Sequence, residues 1–459
     1  MEESKNPSQL LTNEVAMPDY QFSTSSENIS SNGGFSFVDR LLSSNAGMSR
    51  WDAVLPGGPQ RRHGSEAVVR GMLLLMCAGC PNYADVEKFR DDCLFRAALG
   101  GRVPSEATLR QRLDALADAE WREVVDECVA SQLTCARLTP VEVMPELPKL
   151  VPVDIDVSVL EDAASRKEGV SMTYHRVNGF APIFAYAGRE GYMVAAELRP
   201  GSQHSEKGAV EFLERTVGIL KKAGHAPETL LVRVDSGHDA ADFIGACLAL
   251  GVHFIVKHNL RRESPEQLLD SIRYYEEPER CRPGKTIYRG IRSELKPAGL
   301  ESFQGFLAVE AVERTSLADG QELLLPQVDL ESWWTDLPCS VQQCVAMYHD
   351  HGTSEQFHSE LKSDLGLELL PSGKFATNAL VLGLAAIAFN CLRRIGQLAL
   401  DATQFPEGRR APARFRLRTV LLALIKVGCK LVNHARHWLL KFGRNCFNFL
   451  TMKEIYAKC

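Results

Sequence analysis

The chain has 459 residues, more than one ordinary hydrophobic core holds, and domain size alone points to about three units. A formal net charge of −6 argues against a uniformly basic nucleic-acid binder, so any grip on a polyanion must come from local clusters of cations. Thirteen cysteines scattered without a framework, behind an N-terminus with no apolar stretch, argue against a secreted disulfide scaffold and for free thiols in a cytoplasmic protein.

In chain order, residues 1–32 are rich in Ser, Asn and Glu without periodicity and read as a flexible tail. The stretch 33–145 is helical in pattern, with helices expected over 66–76, 83–90, 105–116 and 119–133. Cys77 and Cys80 have zinc-ligand spacing, yet they lie in an apolar run with no second such pair, which favours packed thiols. Ser105 caps a helix presenting Arg110 and Arg112, as a recognition helix would; a capped helix with solvated arginines is the plainer alternative.

Between 151 and 257 strands are expected at 151–159, 183–187, 192–198, 230–234 and 253–257, with helices at 208–223 and 240–250. Asp154, Asp156 and Ser158 alternate with apolar residues, so both carboxylates share one strand face; a half-exposed edge strand would alternate in the same way. Asp235 ends an apolar strand just before a Gly237 turn, the place where α/β sheets build sites, whereas Asp239 reads equally well as a helix cap. Strand-like stretches at 286–289, 306–314 and 322–328 then suggest a β-rich insertion. Within it Trp333 and Trp334 offer a stacking surface for an extruded base, worth about 1–3 kcal/mol. In a strand, however, one of two neighbours must face inward.

The stretch 348–362 is the most informative. At 100° per residue, Tyr348, His351, Glu355, His358 and Lys362 fall on one helical stripe. A carboxylate flanked by donors and a cation suits a metal ion holding a phosphate, whereas a core stripe should be apolar. The longest apolar run, 379–389, falls short of the roughly 20 residues a bilayer needs and reads as a buried helix, so no membrane partner is expected. From Arg409 to Arg444 ten cations occur with no acid, a footprint for phosphates that includes Arg414, Arg416 and Arg418. Leu417, Val420, Leu421, Leu424 and Ile425 give this segment a helical apolar side, so a solvated helix face is the alternative.

These motifs together resemble a known family. Tyr348, His351, Glu355 and Lys362 stand where bacterial insertion-sequence DDE transposases carry Tyr-x2-Arg-x3-Glu-x6-Lys, with His351 departing from the usual Arg. Asp154-x-Asp156-x-Ser158 is similar to one subgroup's Asp-x-Asp-x-Thr strand, and Arg233-x-Asp235-Ser236-Gly237 to its Arg-x-Asp-Ser-Gly. The stretches 198–205 and 32–42 resemble two further subgroup motifs.

The resemblance implies an α/β fold with a ribonuclease H-like catalytic core, which the strand and helix order also suggests. The implied layout is a tail (1–32), a helical N-terminal DNA-binding region (33–145), a first core part (146–258), a β-rich insertion (259–340), a second core part with the Glu355 helix (341–400) and a basic helical C-terminus (401–459). It further implies Asp156, Asp235 and Glu355 as ligands of two Mg²⁺ ions, with Mn²⁺ as a substitute and Asp154 as the alternate ligand. Tyr348, His351 and Lys362 would contact phosphate, and the tryptophans would hold a base. The implied partners are double-stranded DNA, at element ends and target, and a second copy of the chain, in the bacterial nucleoid. A transposase-derived DNA binder without catalysis and a nuclease that cleaves without joining are the rival readings, and the survival of all three acids weighs against the first.

Overall fold

The structure, a computed structural model, describes residues 21–55, 63–141, 149–164, 166–260, 264–405, 411–435 and 437–459. A short strand β1 (Ile29–Ser30) precedes the N-terminal helices α1 (Phe35–Ser43), α2 (Trp51–Val54), α3 (Ser65–Cys77), α4 (Cys93–Ala98), α5 (Glu106–Ala117) and α6 (Arg122–Thr134). Local chemistry sets two of their starts. The Asp92 carboxylate accepts from the Leu94 and Phe95 amides at α4, and the Ser105 hydroxyl accepts from the Thr108 amide at α5. Residues 83–90, expected to be α-helical, form a 3₁₀ helix at Tyr83–Phe89.

Next come β2 (Val151–Val157), a small sheet of β3 (Leu160–Glu161), β4 (Ser171–Met172) and β5 (Asn178–Phe180), then β6 (Ile183–Ala187) and β7 (Tyr192–Glu197). They are followed by α7 (Ala209–Lys222), β8 (Leu230–Val234), α8 (Ala241–Leu250) and β9 (His253–Lys257). Strands β2, β6 and β7 form an antiparallel meander, while β8 joins β2 and β9 joins β8 in parallel through the crossover helices α7 and α8. Strand β8 is buried along its whole length, which explains why its sequence is a near-continuous apolar run rather than an alternation.

The stretch expected to be β-rich forms strands of the same sheet. After α9 (Pro265–Ile272) come β10 (Glu279–Arg282), β11 (Lys285–Arg292), β12 (Phe306–Ser316) and β13 (Glu322–Thr335). Trp333, Trp334 and Thr335 of β13 pair with Lys257, Val256 and Ile255 of β9. The result is one mixed nine-stranded sheet in the order β10-β11-β12-β13-β9-β8-β2-β6-β7.

The chain closes with α10 (Val341–His349), α11 (Ser354–Ser359), α12 (Phe375–Asp401), α13 (Leu417–Val420), β14 (Cys429–His434), β15 (His437–Phe442) and α14 (Phe449–Lys458). Helix α12, 27 residues long, contains the apolar run at 379–389 and is long and apolar enough, by length and composition, to cross a membrane. In the fold 89% of its most apolar window is buried, and it packs on α3, α5, α6 and β7.

Two expectations need correction. The C-terminus is not helical throughout: β14 and β15 form a hairpin, whose alternation of Leu431 with Lys430 and Leu440 with Lys441 is a period of two obscured by its charges and histidines. Nor does order begin only at Gly33, because Ile29 and Ser30 pair with Lys430 and Cys429 of that hairpin. Residues 1–20 of the expected tail lie outside the described residues.

Candidate active site

Strands β2 and β8 run side by side with Asp154 opposite Arg233 and Ile155 opposite Val234. Asp156 and Asp235 each follow by one residue, so their Cα atoms stand about one strand spacing, ~4.8 Å, apart at the C-terminal ends of parallel neighbours. The bond between Asp154 and Arg233 fixes which face these positions share. The Asp156 Oδ1 accepts from the Val157 amide at 2.8 Å, and its Oδ2 lies 3.3 Å from His358 Nε2.

The Asp235 Oδ1 accepts from the Gly237 amide at 3.1 Å and from His238 Nδ1 at 2.9 Å, while the side chain stays 48% exposed. Burial of this carboxyl pushes its pKa up, but the His238 hydrogen bond and charge and the Gly237 amide outweigh it and hold the group below the usual carboxylate range. A permanently ionised carboxylate is what a hard cation needs.

Asp154 is a different kind of group. It is fully buried, its two oxygens accept from Arg233 Nε and Nη2 at 2.7 and 2.8 Å, and His351 Nδ1 lies 2.9 Å from Oδ1. Burial raises its pKa, yet the Arg233 charge and His351 bring it below the ordinary value. Both of its oxygens are engaged by Arg233 and His351, so Asp154 forms the floor on which the site is built.

His351 is likewise buried, so the position that departs from the family signature serves as a partner of Asp154 rather than as a phosphate contact. Burial alone would lower its pKa, but the hydrogen bond and charge of Asp154 more than reverse that. Its stabilising contribution is therefore complete below the ordinary imidazole value of about 6.5 and is lost as pH rises through the raised folded value. Thermal midpoints of wild type and His351→Gln, measured across pH, should differ most below about pH 6.5 and converge on the alkaline side; a constant gap would contradict this.

Helical residues 341–364 do not form one straight α-helix. The path runs from α10 into a 3₁₀ turn (Asp350–Thr353), α11 and a π turn (Glu360–Asp364). The stripe divides accordingly: Tyr348, His351 and His358 are buried, Lys362 is half-buried, and Glu355 is exposed. Through His351 on Asp154 and His358 on Asp156 this segment docks on β2, with Glu355 lying between the two histidines in sequence. Among the described residues no group of three or more His, Cys, Asp or Glu side chains is arranged to hold a metal ion. The side-by-side acids are thus Asp156 and Asp235, with Glu355 on the adjoining helix. Burial lowers the Lys362 pKa, opposed by the charges of Glu368 and Asp156.

Two supporting residues escaped the sequence reading. Tyr174, an exposed side chain whose hydroxyl donates to the Val157 carbonyl at 3.2 Å, has its pKa pushed up to about 12 by burial of the phenol and by the charges of Asp156 and Asp235. His238 holds Asp235, and its only signal in sequence was its place three residues further along.

Several expected DNA contacts lie elsewhere. Trp333 and Trp334 are 0% and 3% exposed, so neither is a stacking platform. Trp333 packs on Tyr348 and Trp334 on Phe303, one on each face of the β13 root. Tyr348, buried between Trp333 and His351, has its pKa raised first by burial and then by the nearby acids. Arg112 is buried on the α5 face shared with Leu109, Leu113 and Leu116 and donates to Ser65 Oγ at 2.7 Å, which removes it from a base-reading role; Arg110 is exposed.

In the basic segment Arg414 reaches Glu360 and Gln356 and covers the Phe357 ring, and Arg416 binds Asp364 at 3.0 Å. With Arg393, which donates to Glu360 at 2.6 Å, they clamp the end of the Glu355 helix. Arg418 uses its backbone amide on Asp364 and leaves its side chain exposed. Cys77 and Cys80 are free thiols, and burial raises both pKa values.

The family model described as "Transposase DDE domain group 1" matches residues 14–282 and 322–458, omitting β11 and β12. No curated protein matches. Among solved structures the chain is similar to a piggyBac transposase synaptic complex with hairpin DNA, at 12% identity and a TM-score of 0.40, over 85% of this chain and 78% of that one.

Proposed function

Because the chain belongs to the DDE transposase family, group 1, we propose that it performs cut-and-paste transposition of an insertion sequence, hydrolysing DNA at the element ends and joining the freed 3′-hydroxyls to target DNA. The observation that carries this reading is the pair Asp156 and Asp235 at the ends of adjacent parallel strands, one of them held ionised by its neighbours. The order β7-β6-β2-β8-β9, an antiparallel meander followed by two parallel strands, supports a ribonuclease H-like core around that pair.

Two carboxylates on one sheet face, Asp156 and Asp235, suit a hard divalent cation, and Glu355 lies on the helix docked beside them. Asp156 and Asp235 would hold Mg²⁺, or Mn²⁺ in its place, with Glu355 completing the ligands. Bound in such a site, paired divalent ions lower the pKa of a water and stabilise charge on the attacking and leaving oxygens.

The chain's own groups do the rest. His238 and Gly237 keep Asp235 ionised, and Tyr174, bonded to the Val157 carbonyl, lies within the field of both acids. Lys362 brings positive charge to the Asp156 side, where a scissile phosphate would lie. The Asp154, Arg233 and His351 cluster holds the two acids and their helix in register. In the first step water attacks phosphorus and the bridging P–O bond to the 3′ oxygen breaks. In the last, that 3′-hydroxyl attacks a target phosphate and releases a target 3′ oxygen. Neither step needs a covalent enzyme intermediate. Two ends must be cut in concert, so the working form on DNA is a homodimer.

The test is purified protein with Mg²⁺, a labelled duplex carrying an element end, and a target plasmid. Cleavage followed by joined product is expected. No cleavage would leave only a DNA binder, and cleavage without joining only a nuclease.

A further inference from the structure

We propose that the outer face of the β14–β15 hairpin, with the flanking Lys426 and Arg444, is the chain's duplex-DNA backbone-binding surface, separate from the acid pair. The proposal rests on the protein acting on DNA and assigns that contact to particular residues. From 411 to 459 the chain carries Arg and Lys throughout with Glu454 as the sole acid, a local field opposite in sign to the whole. Counting cations overstates what is available, because Arg414 and Arg416 are committed to Glu360 and Asp364. Arg418, Lys426, Lys441 and Arg444 remain exposed and form no ion pair among the described residues.

Of these only Lys441 lies in the hairpin, whose register sets its face. Lys430 lies opposite Lys441, Val432 opposite Leu439, and His434 opposite His437, so period two places all six on one face. Like charges directly opposite in an antiparallel pair are destabilising. Glu27 meets Lys430 alone, which leaves Lys441 without a counter-charge among the described residues. The reverse face carries Leu431, Leu440 and Phe442 against the core, and β1 pairs with β14, so the hairpin is anchored and its cationic side points outward. An anchored strand pair that keeps Lys441 unneutralised, with Lys426 and Arg444 exposed beside it in sequence, fits a regularly spaced polyanion, and duplex phosphate is the one this reaction supplies.

The experiment compares wild type, the Lys426→Ala/Lys441→Ala/Arg444→Ala triple variant and Asp156→Asn/Asp235→Asn, by anisotropy on a short duplex over a salt series without divalent metal. All three substituted cations are exposed, and unchanged thermal midpoints confirm folding. The triple variant should bind on the order of tenfold or more weakly at low salt, with the log–log salt slope shallower by about 0.9 for every phosphate it no longer neutralises. The acid variant should retain binding. Wild-type affinity and slope in the triple variant would overturn the proposal while leaving the transposase reading intact. Failure of wild type itself to bind duplex would overturn both. Tighter binding to anionic-lipid vesicles than to duplex would overturn the proposal in favour of a membrane surface.

Discussion

Asp235→Asn is expected to lower cleavage and joining at an element end by roughly 10²–10³-fold or more, with folding and metal-free DNA binding retained. The amide has the shape of the carboxylate, and its oxygen can still accept from the Gly237 amide, so local structure has little reason to change. What disappears is the charge that His238 and Gly237 hold ionised. The side chain is also half exposed, which limits any cost in stability. Asp156→Asn should behave the same way, since among the described residues its oxygens bond the Val157 amide and His358 alone. A gel assay on a labelled end with Mg²⁺ measures the effect. Activity within tenfold of wild type for either variant would remove the acid pair from the chemistry.

Arg233→Met should have the largest effect on stability. It leaves Asp154 buried with only His351 beside it and strips the guanidinium from the Met347 carbonyl, which ties β8 to the end of α10. Breaking a buried pair by removing one partner costs about 3–5 kcal/mol, whereas replacing both partners with apolar residues is often neutral. The double variant Asp154→Leu/Arg233→Met should therefore recover most of the loss in urea unfolding. Recovery would show that the pair's contribution to stability is structural; an Arg233→Met loss below about 1 kcal/mol would contradict the burial argument.

The strands of the sheet were legible because their signals are local: alternation in β2, continuous apolar runs in β6 and β8, and a Gly turn after Asp235. The choice between Asp154 and Asp156 was not legible. Both face the same way on one strand, and what separates them is Arg233, a residue 79 positions away that the parallel register brings opposite only Asp154. The basic segment misled for a similar reason. Its acids, Glu360 and Asp364, lie about fifty residues earlier, so an acid-free window in sequence is partly neutralised in space. Arg112 and the two tryptophans were misplaced by reading side-chain type where packing decides: α5 and the β13 root are covered on the faces that carry them. The helical stripe lost its regularity, since a 3₁₀ turn at Asp350–Thr353 precedes α11 and a π turn follows it, and Glu355 is exposed where the histidines are buried.

The junction of the insertion with the sheet has a consequence for engineering. Only the last three residues of β13 ladder onto β9, yet they supply that strand's outer hydrogen bonds, and both of their indoles are sunk into opposite layers. The far ends of β12 and β13 project beyond this, with Leu324 and Leu325 in solvent. The module thus behaves as a cantilever. Trimming or lengthening its free tip should be mechanically cheap, whereas a cut at the root would bare the β9 edge of the sheet and invite aggregation.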